Sequence, residues 1–169
     1  MTQTMIPELR PLEQNRYEVL KPYYERYSSD IHDLNLTNLI MWRKKHNLHT
    51  LELGGYLWIV YQPSDPFGTF FSEPIGDYDD LVGLAEATRI WLGYCKTNHL
   101  EPKLRHIGAA YLHFLMASEY GNGINVMPIE DDFDYKYLSE KLATLSGNAY
   151  HKKKNHLNQF QRHYANRSR

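Results

Sequence analysis

Apolar and polar positions change period several times along the chain, and each change marks an element. Residues 12–20 carry a helical pattern, and Pro22, which lacks an N–H and crowds the preceding turn, is expected to kink or end that helix. A polar loop, Ser28-Ser29-Asp30, follows. Residues 36–46 place Leu36, Leu39, Ile40 and Arg43 on one helical face, and Asn35 stands where an N-cap side chain belongs. The pattern then turns extended: residues 50–53 and the continuous apolar run 56–61 flank Gly54-Gly55, a pair able to supply the positive φ angles of a tight hairpin turn. Beyond the loop at 63–68, residues 69–72 predict a third strand ended by Pro74 and Gly76.

From 79 to 98, Leu81, Leu84, Thr88, Trp91 and Cys95 recur as the stripe of an amphipathic helix suited to covering a sheet. A short strand near 104–107 leads through Gly108 into a predicted helix over 109–120, with Gly121 or Gly123 as its cap. Two more strands are expected at 124–127 and 133–137, around the acidic loop Glu130-Asp131-Asp132. A helical turn over 139–145, closed by Ser146-Gly147, precedes a helix over 150–164. Its Tyr150, Leu157, Phe160 and Tyr164 share one face while its other faces are basic. Interleaved strands and helices of this kind predict an α/β, α+β layered fold. The apolar stripe of the last helix needs a cover, from its own domain, a neighbour or a second copy in a homo-oligomer.

Composition adds three constraints. With 169 residues, 42% of them hydrophobic, the chain supports one domain with a true core. A single cysteine, Cys95, excludes an internal disulfide, and residues 1–7 show no signal-peptide pattern, so a cytoplasmic protein is expected. No apolar run approaches the roughly 20 residues of a membrane-spanning helix. The net charge of −1 conceals an asymmetry: residues 150–169 hold six Lys or Arg and no acid, leaving 13 basic against 20 acidic residues, −7, on the rest. A basic end on an acidic body suits an anionic partner.

Sorting residues by chemistry removes most candidates. His46 and His49 straddle a helix-to-strand boundary, His151 and His156 diverge on a helix, and no His-Glu-x-x-His is present, so no metal site is expected. Cys95 lies on an apolar stripe and reads as a buried thiol. Trp42, Trp58 and Trp91 each fall in periodic apolar segments and read as core. Gly121-Asn122-Gly123 lacks the third glycine and the strand of a dinucleotide loop, and no nucleophile elbow occurs. The catalytic residues stay unassigned. His151, Lys152, Lys153, Lys154 and Asn155 remain: they gather positive charge and donors near a helix N-terminus, which suits phosphate of tRNA or of a lipid head group. A solvated basic face accounts for the same residues with equal weight.

The string from Leu145 to Phe160, with Leu-Ser-Gly, then His-Lys-Lys, then Asn-His-x-Asn-x-Phe, resembles the bacterial phosphatidylglycerol lysyltransferase C-terminal-domain family. The segments 36–43, 71–76 ending Pro-Ile-Gly, and Phe133-Asp134-Tyr135 with Tyr137 resemble family features in the same order. The resemblance implies two tandem halves of the GNAT type joined by a helix, of which residues 1–146 would be the N-terminal domain and 147–169 the basic helix leading to a second domain. It also implies transfer of an aminoacyl group from aminoacyl-tRNA to a lipid hydroxyl or a peptide amine. The chain ends at Arg169 where members continue for another domain, so it reads as truncated and is expected to be inactive alone. It lacks the phosphate loop of acyl-CoA acetyltransferases, so neither acetyl-CoA nor another cofactor is expected. A binding module for nucleic acid, anionic lipid or a partner protein is the alternative.

Overall fold

The computed structural model of the protein describes residues 7–27, 29, 31–64, 68–134 and 137–164. Parts of three predicted segments, at 28–30, 63–68 and 133–137, and the terminal Arg167 and Arg169 lie outside the described residues. The chain forms two compact units, residues 1–132 and 133–169.

The first unit is organised by one hairpin. Strand β2 (Leu48–Leu53) pairs antiparallel with β3 (Tyr56–Tyr61), with Leu53 opposite Tyr56 and Leu48 opposite Tyr61. Gly54 and Gly55 make the turn at φ +59° and +82°, the left-handed pair that matches strand twist. Two short edges complete an antiparallel sheet in the order β1-β2-β3-β4, with β1 at Arg10–Pro11 and β4 at Phe70–Phe71. Past β4 the chain stays beside β3: Ser72 N–H donates to Ile59 O, Ser72 Oγ accepts from Ile59 N–H, and Ile75 and Leu57 exchange both of their backbone bonds.

Every residue of β3 is buried, because the sheet is covered on both faces. Tyr56, Trp58 and Val60 enter one core with Leu84, Trp91 and Cys95 of α3 (Leu81–Thr97) and Tyr111 and Leu115 of α4 (Ala109–Ala117). Leu57, Ile59 and Tyr61 enter the other, with Leu20 of α1 (Tyr17–Arg26) and Leu36 and Leu39 of α2 (Leu36–Trp42). The result is a three-layer α+β unit.

Local chemistry fixes the helix ends. Asn35 caps α2 by accepting from Thr37 N–H, and Asp80 caps α3 by accepting from Gly83 N–H. The α3 stripe is buried except for Leu81, which opens the helix and stays exposed. Four expectations need correction. A 3₁₀ turn (Gln14–Arg16) precedes α1, and α1 runs through Pro22; both Pro22 and Glu18, whose carbonyl loses its partner, lie on the exposed face where water can serve that carbonyl. The strand expected at 104–107 is a single parallel bridge from Leu104 to Phe71, and α4 ends at Ser118 without a glycine cap. Residues 124–127 form no strand, because no neighbouring strand takes their backbone bonds; Val126 and Met127 are exposed, and Glu130–Asp132 is a 3₁₀ turn.

The second unit is helical. Helix α5 (Ser139–Thr144) ends on Leu145 in the left-handed region at φ +48°, and after Gly147 a 3₁₀ turn (Asn148–Tyr150) runs into α6 (His151–Tyr164). Leu157, Phe160 and Tyr164 are exposed on α6, the apolar stripe the sequence predicts.

The hairpin turn gives a paired prediction. A Cβ on Gly54 would stand 2.7 Å from Ala87 Cα, whereas one on Gly55 would meet nothing within 4 Å. Both alanine variants carry the left-handed cost of about 1–2 kcal/mol. Gly54→Ala must also push α3 off the sheet, so urea denaturation is expected to show it less stable than Gly55→Ala by about 1 kcal/mol or more.

Candidate functional site

The end of β3 opens into a cleft of about 440 Å³ inside the first unit. Tyr61, the last residue of β3, stacks on Phe70 of β4 with ring centroids 4.6 Å apart, and this pair forms the floor. Helix α2 supplies one wall. Its last residue, Trp42, is 47% exposed, and the Lys45 ammonium sits 4.7 Å from the centre of its ring. His46, in the turn that follows, lies between Trp42 and Tyr61 at 6.1 and 6.4 Å. Trp42 therefore departs from the core reading; Trp58 and Trp91 match it, stacked at 5.2 Å inside the first core.

The opposite wall is the segment 103–106, held on β4 by two backbone bonds, Phe71 N–H to Lys103 O and Arg105 N–H to Phe71 O. Arg105 lies over the Phe70 ring at 5.1 Å and donates to Asp132 at 2.6 Å. His106 follows at φ +57°, a left-handed conformation that a bulky residue keeps only when its surroundings impose it. The imposition is visible: Arg105 is tied to β4, and the Gly108 N–H donates to the Glu73 carboxylate at 2.7 Å. So held, the His106 ring lies 5.2 Å from Tyr61, and its Nδ1 is 3.3 Å from Asp33.

Protonation follows from burial. The Tyr61 phenol is pushed well above its ordinary pKa by burial and by the Asp33 carboxylate, with Arg105 opposing, so it remains a donor; its hydroxyl is buried and meets no hydrogen-bond partner among the described residues. The His106 pKa is lowered, chiefly by burial and also by Arg105 and His46, against the pull of Asp33 and Asp132. With its proton on Nδ1, the nitrogen that faces Asp33 at 3.3 Å, a neutral His106 keeps Nε2 as an acceptor. The cleft is thus lined by an imidazole, a half-exposed indole with a lysine cation over its ring, and a carboxylate, while the Tyr61 hydroxyl stays closed to solvent.

The residues singled out in the sequence belong to the second unit. His151, Lys152, Lys153, Lys154 and Asn155 form the first turn of α6, all exposed. Asn155 Nδ2 reaches His151 Nδ1 at 3.5 Å, and the Lys153 ammonium lies 5.2 Å from the Tyr137 ring centre. Three consecutive lysines turn through about 200° of a helix, so they wrap its first turn and do not converge on one point. That turn carries no acid, and cations there oppose the helix dipole. Cys95 is buried, its thiol pushed up to about 11 by burial, as its place on the α3 stripe predicts. Among the described residues no group of three His, Cys, Asp or Glu is arranged to hold a metal ion, and no helix is long and apolar enough to cross a membrane.

Comparison with known proteins gives a family and a fold. The family model described as phosphatidylglycerol lysyltransferase, C-terminal, matches residues 24–168. No protein of curated function matches the sequence. A crystal structure titled a conserved protein of unknown function from Bacteroides thetaiotaomicron VPI-5482 superposes with a TM-score of 0.76 at 18% identity, covering 95% of this chain. The chain covers 52% of that protein, about half its length.

The lowered His106 pKa sets a pH dependence. As pH falls through the unfolded-state value of about 6.5, the unfolded chain takes up this proton before the folded one, so the His106 contribution is present above that pH and lost below it. Asparagine accepts the left-handed region and does not titrate there. His106→Asn is therefore expected to flatten the decline in denaturant stability between about pH 7.5 and 5.5. An unchanged slope would contradict the buried neutral imidazole.

Proposed function

Because the chain belongs to the phosphatidylglycerol lysyltransferase C-terminal family, we propose that it is the N-terminal half of an aminoacyl-tRNA-dependent aminoacyltransferase. In this reading residues 1–146 frame the substrate, residues 147–169 form a basic helix leading to a second GNAT-like half, and the chain does not transfer an amino acid by itself. It works in the cytoplasm, where aminoacyl-tRNA is made. The half-length match to the structural relative supports a second half in the working enzyme.

The observation that carries the reading is the exposed first turn of α6. Lysines at a helix N-terminus cost stability, a few tenths of a kcal/mol each, unless an anion neutralises them. Lys152, Lys153 and Lys154, with His151 and Asn155, wrap that turn with donors and cationic charge, which suits a polyanion lying across the helix. Electrostatic holding of phosphate, with chemistry supplied elsewhere, is the role this arrangement supports.

The exposed stripe Leu157, Phe160 and Tyr164 supports a second reading, a non-catalytic binding module in which that stripe docks on a partner or a second copy while the basic turn meets nucleic acid or anionic lipid. Salt-dependent binding separates the readings. The Lys152→Ala, Lys153→Ala, Lys154→Ala variant is expected to bind tRNA at least about tenfold more weakly at moderate salt, and to flatten the slope of log affinity against log salt by about 2–3. Equal binding of tRNA by variant and parent across salt would remove the phosphate role. A loss seen only with anionic vesicles would favour the lipid-binding module.

A further inference from the structure

None of the described residues of the second unit is buried, although Leu138, Leu142, Leu157, Phe160 and Tyr164 all carry large hydrophobic side chains. A 14-residue helix with no buried face is marginal in water, because most helices in proteins draw their stability from packing such a face. On α6 the exposed apolar surface is continuous: Phe160 stacks on Tyr164 at 4.9 Å, and Leu157 stands one turn before Phe160 on the same side. Lys153 and Lys154 stand four and three residues before Leu157, which puts two cations at the N-terminal end of this stripe. A surface that matches it is apolar at its centre and negatively charged at its rim.

The chain itself carries such a surface. At the start of α3, Leu81 and Val82 are 60% and 82% exposed, although the same helix buries Leu84, Ala87 and Trp91 further along. Asp77, Asp79 and Asp80, all exposed, lead directly into this pair. Asp80 caps the helix through Gly83 N–H and Asp77 accepts from Asp79 N–H, so the acidic stretch is held at the edge of the apolar pair. From these two surfaces we infer that α6 of one copy docks on the start of α3 of a second copy. Leu157 and Phe160 then cover Leu81 and Val82, while Lys153 and Lys154 face Asp77 and Asp79. This deepens the second reading of α6 given above, in which the stripe takes a partner, and assigns that partner as the chain itself. Charge decides the pairing: residues 150–169 hold six cations and no acid, and the rest of the chain carries −7. Like faces of two copies repel and unlike faces attract, which favours a head-to-tail contact over pairing of two α6 stripes. An anionic bilayer matches the stripe and its lysines but leaves Leu81 and Val82 uncovered. A nucleic acid meets the lysines and leaves both apolar surfaces in water.

Analytical ultracentrifugation of the full chain over a wide range of concentration tests the contact. The average mass is expected to rise with concentration above the 20.0 kDa of one chain, and the association to weaken severalfold in high salt, which screens the charged rim. Leu157→Ala with Phe160→Ala on α6, and Asp79→Lys with Val82→Lys on α3, are each expected to weaken it about tenfold or more. All four side chains are exposed, and circular dichroism checks that each variant keeps the parent fold. A mixture of the two variants retains one intact pair of surfaces, α6 from one copy and the start of α3 from the other, and is expected to associate more strongly than either variant alone. A chain that stays at 20.0 kDa at every concentration overturns the inference. So does association that the α3 variant leaves unchanged, which would place the stripe on some other surface, or a mixture no stronger than its components. Titration of the Leu157→Ala, Phe160→Ala variant with tRNA reads the basic turn separately, since this variant keeps Lys152, Lys153 and Lys154. A parent chain that binds tRNA and stays monomeric keeps the phosphate role and loses this contact.

Discussion

The first unit depends on burying β3 on both faces. Six consecutive residues, Tyr56–Tyr61, are shielded from water, with alternate side chains entering opposite cores. Such burial requires every β3 backbone group to find a partner in the sheet, and β2, β4 and the Ser72 to Ile75 segment provide them. It also requires α3 to approach the hairpin closely, which the missing side chain at Gly54 permits beside Ala87. Stacked Trp58 and Trp91 fill the space so defined.

The cleft is a consequence of where that burial stops. β3 ends at Tyr61 and β4 is two residues long; Tyr61 and Phe70 stay buried, but α2 has ended at Trp42, so the indole of Trp42 meets solvent. The segment carrying Arg105 and His106 is pinned across the gap by β4 and by Glu73, at the expense of a left-handed backbone at His106. Rigid support from the sheet and imposed backbone at the rim are the combination from which preorganised binding sites are built. The α6 turn differs in kind: an exposed, charge-dense surface.

The hairpin, the Asn35 cap, the α3 stripe and the apolar face of α6 were all legible in the sequence because each is written in contiguous residues: a Gly-Gly pair, a capping side chain, a helical period. The cleft was not. Its floor and walls come from Asp33, Trp42, Tyr61, Phe70 and His106, which only the sheet register brings together. Trp42 looked like core because its neighbours Leu36 and Leu39 are core; its place at the last position of α2 turns it outward. One local signal existed, the run Arg105-His106-Ile107-Gly108 after a bridge residue, but a left-handed histidine has no sequence signature. The strand expected at 124–127 failed for the opposite reason: an apolar run is insufficient where no neighbouring strand takes its backbone bonds.

In the reading proposed above, a chain of this family holds an aminoacyl-tRNA through the basic α6 turn without carrying out the transfer. The most direct test incubates the purified chain with tRNA charged with radiolabelled amino acid, and follows both the label retained with protein on a native gel and the label still esterified to tRNA, with anionic vesicles and a peptide amine present as acceptors. The account predicts retained label that stays on the tRNA, lost at no more than the rate seen without protein. Absence of retention, or movement of the label to either acceptor, would contradict it.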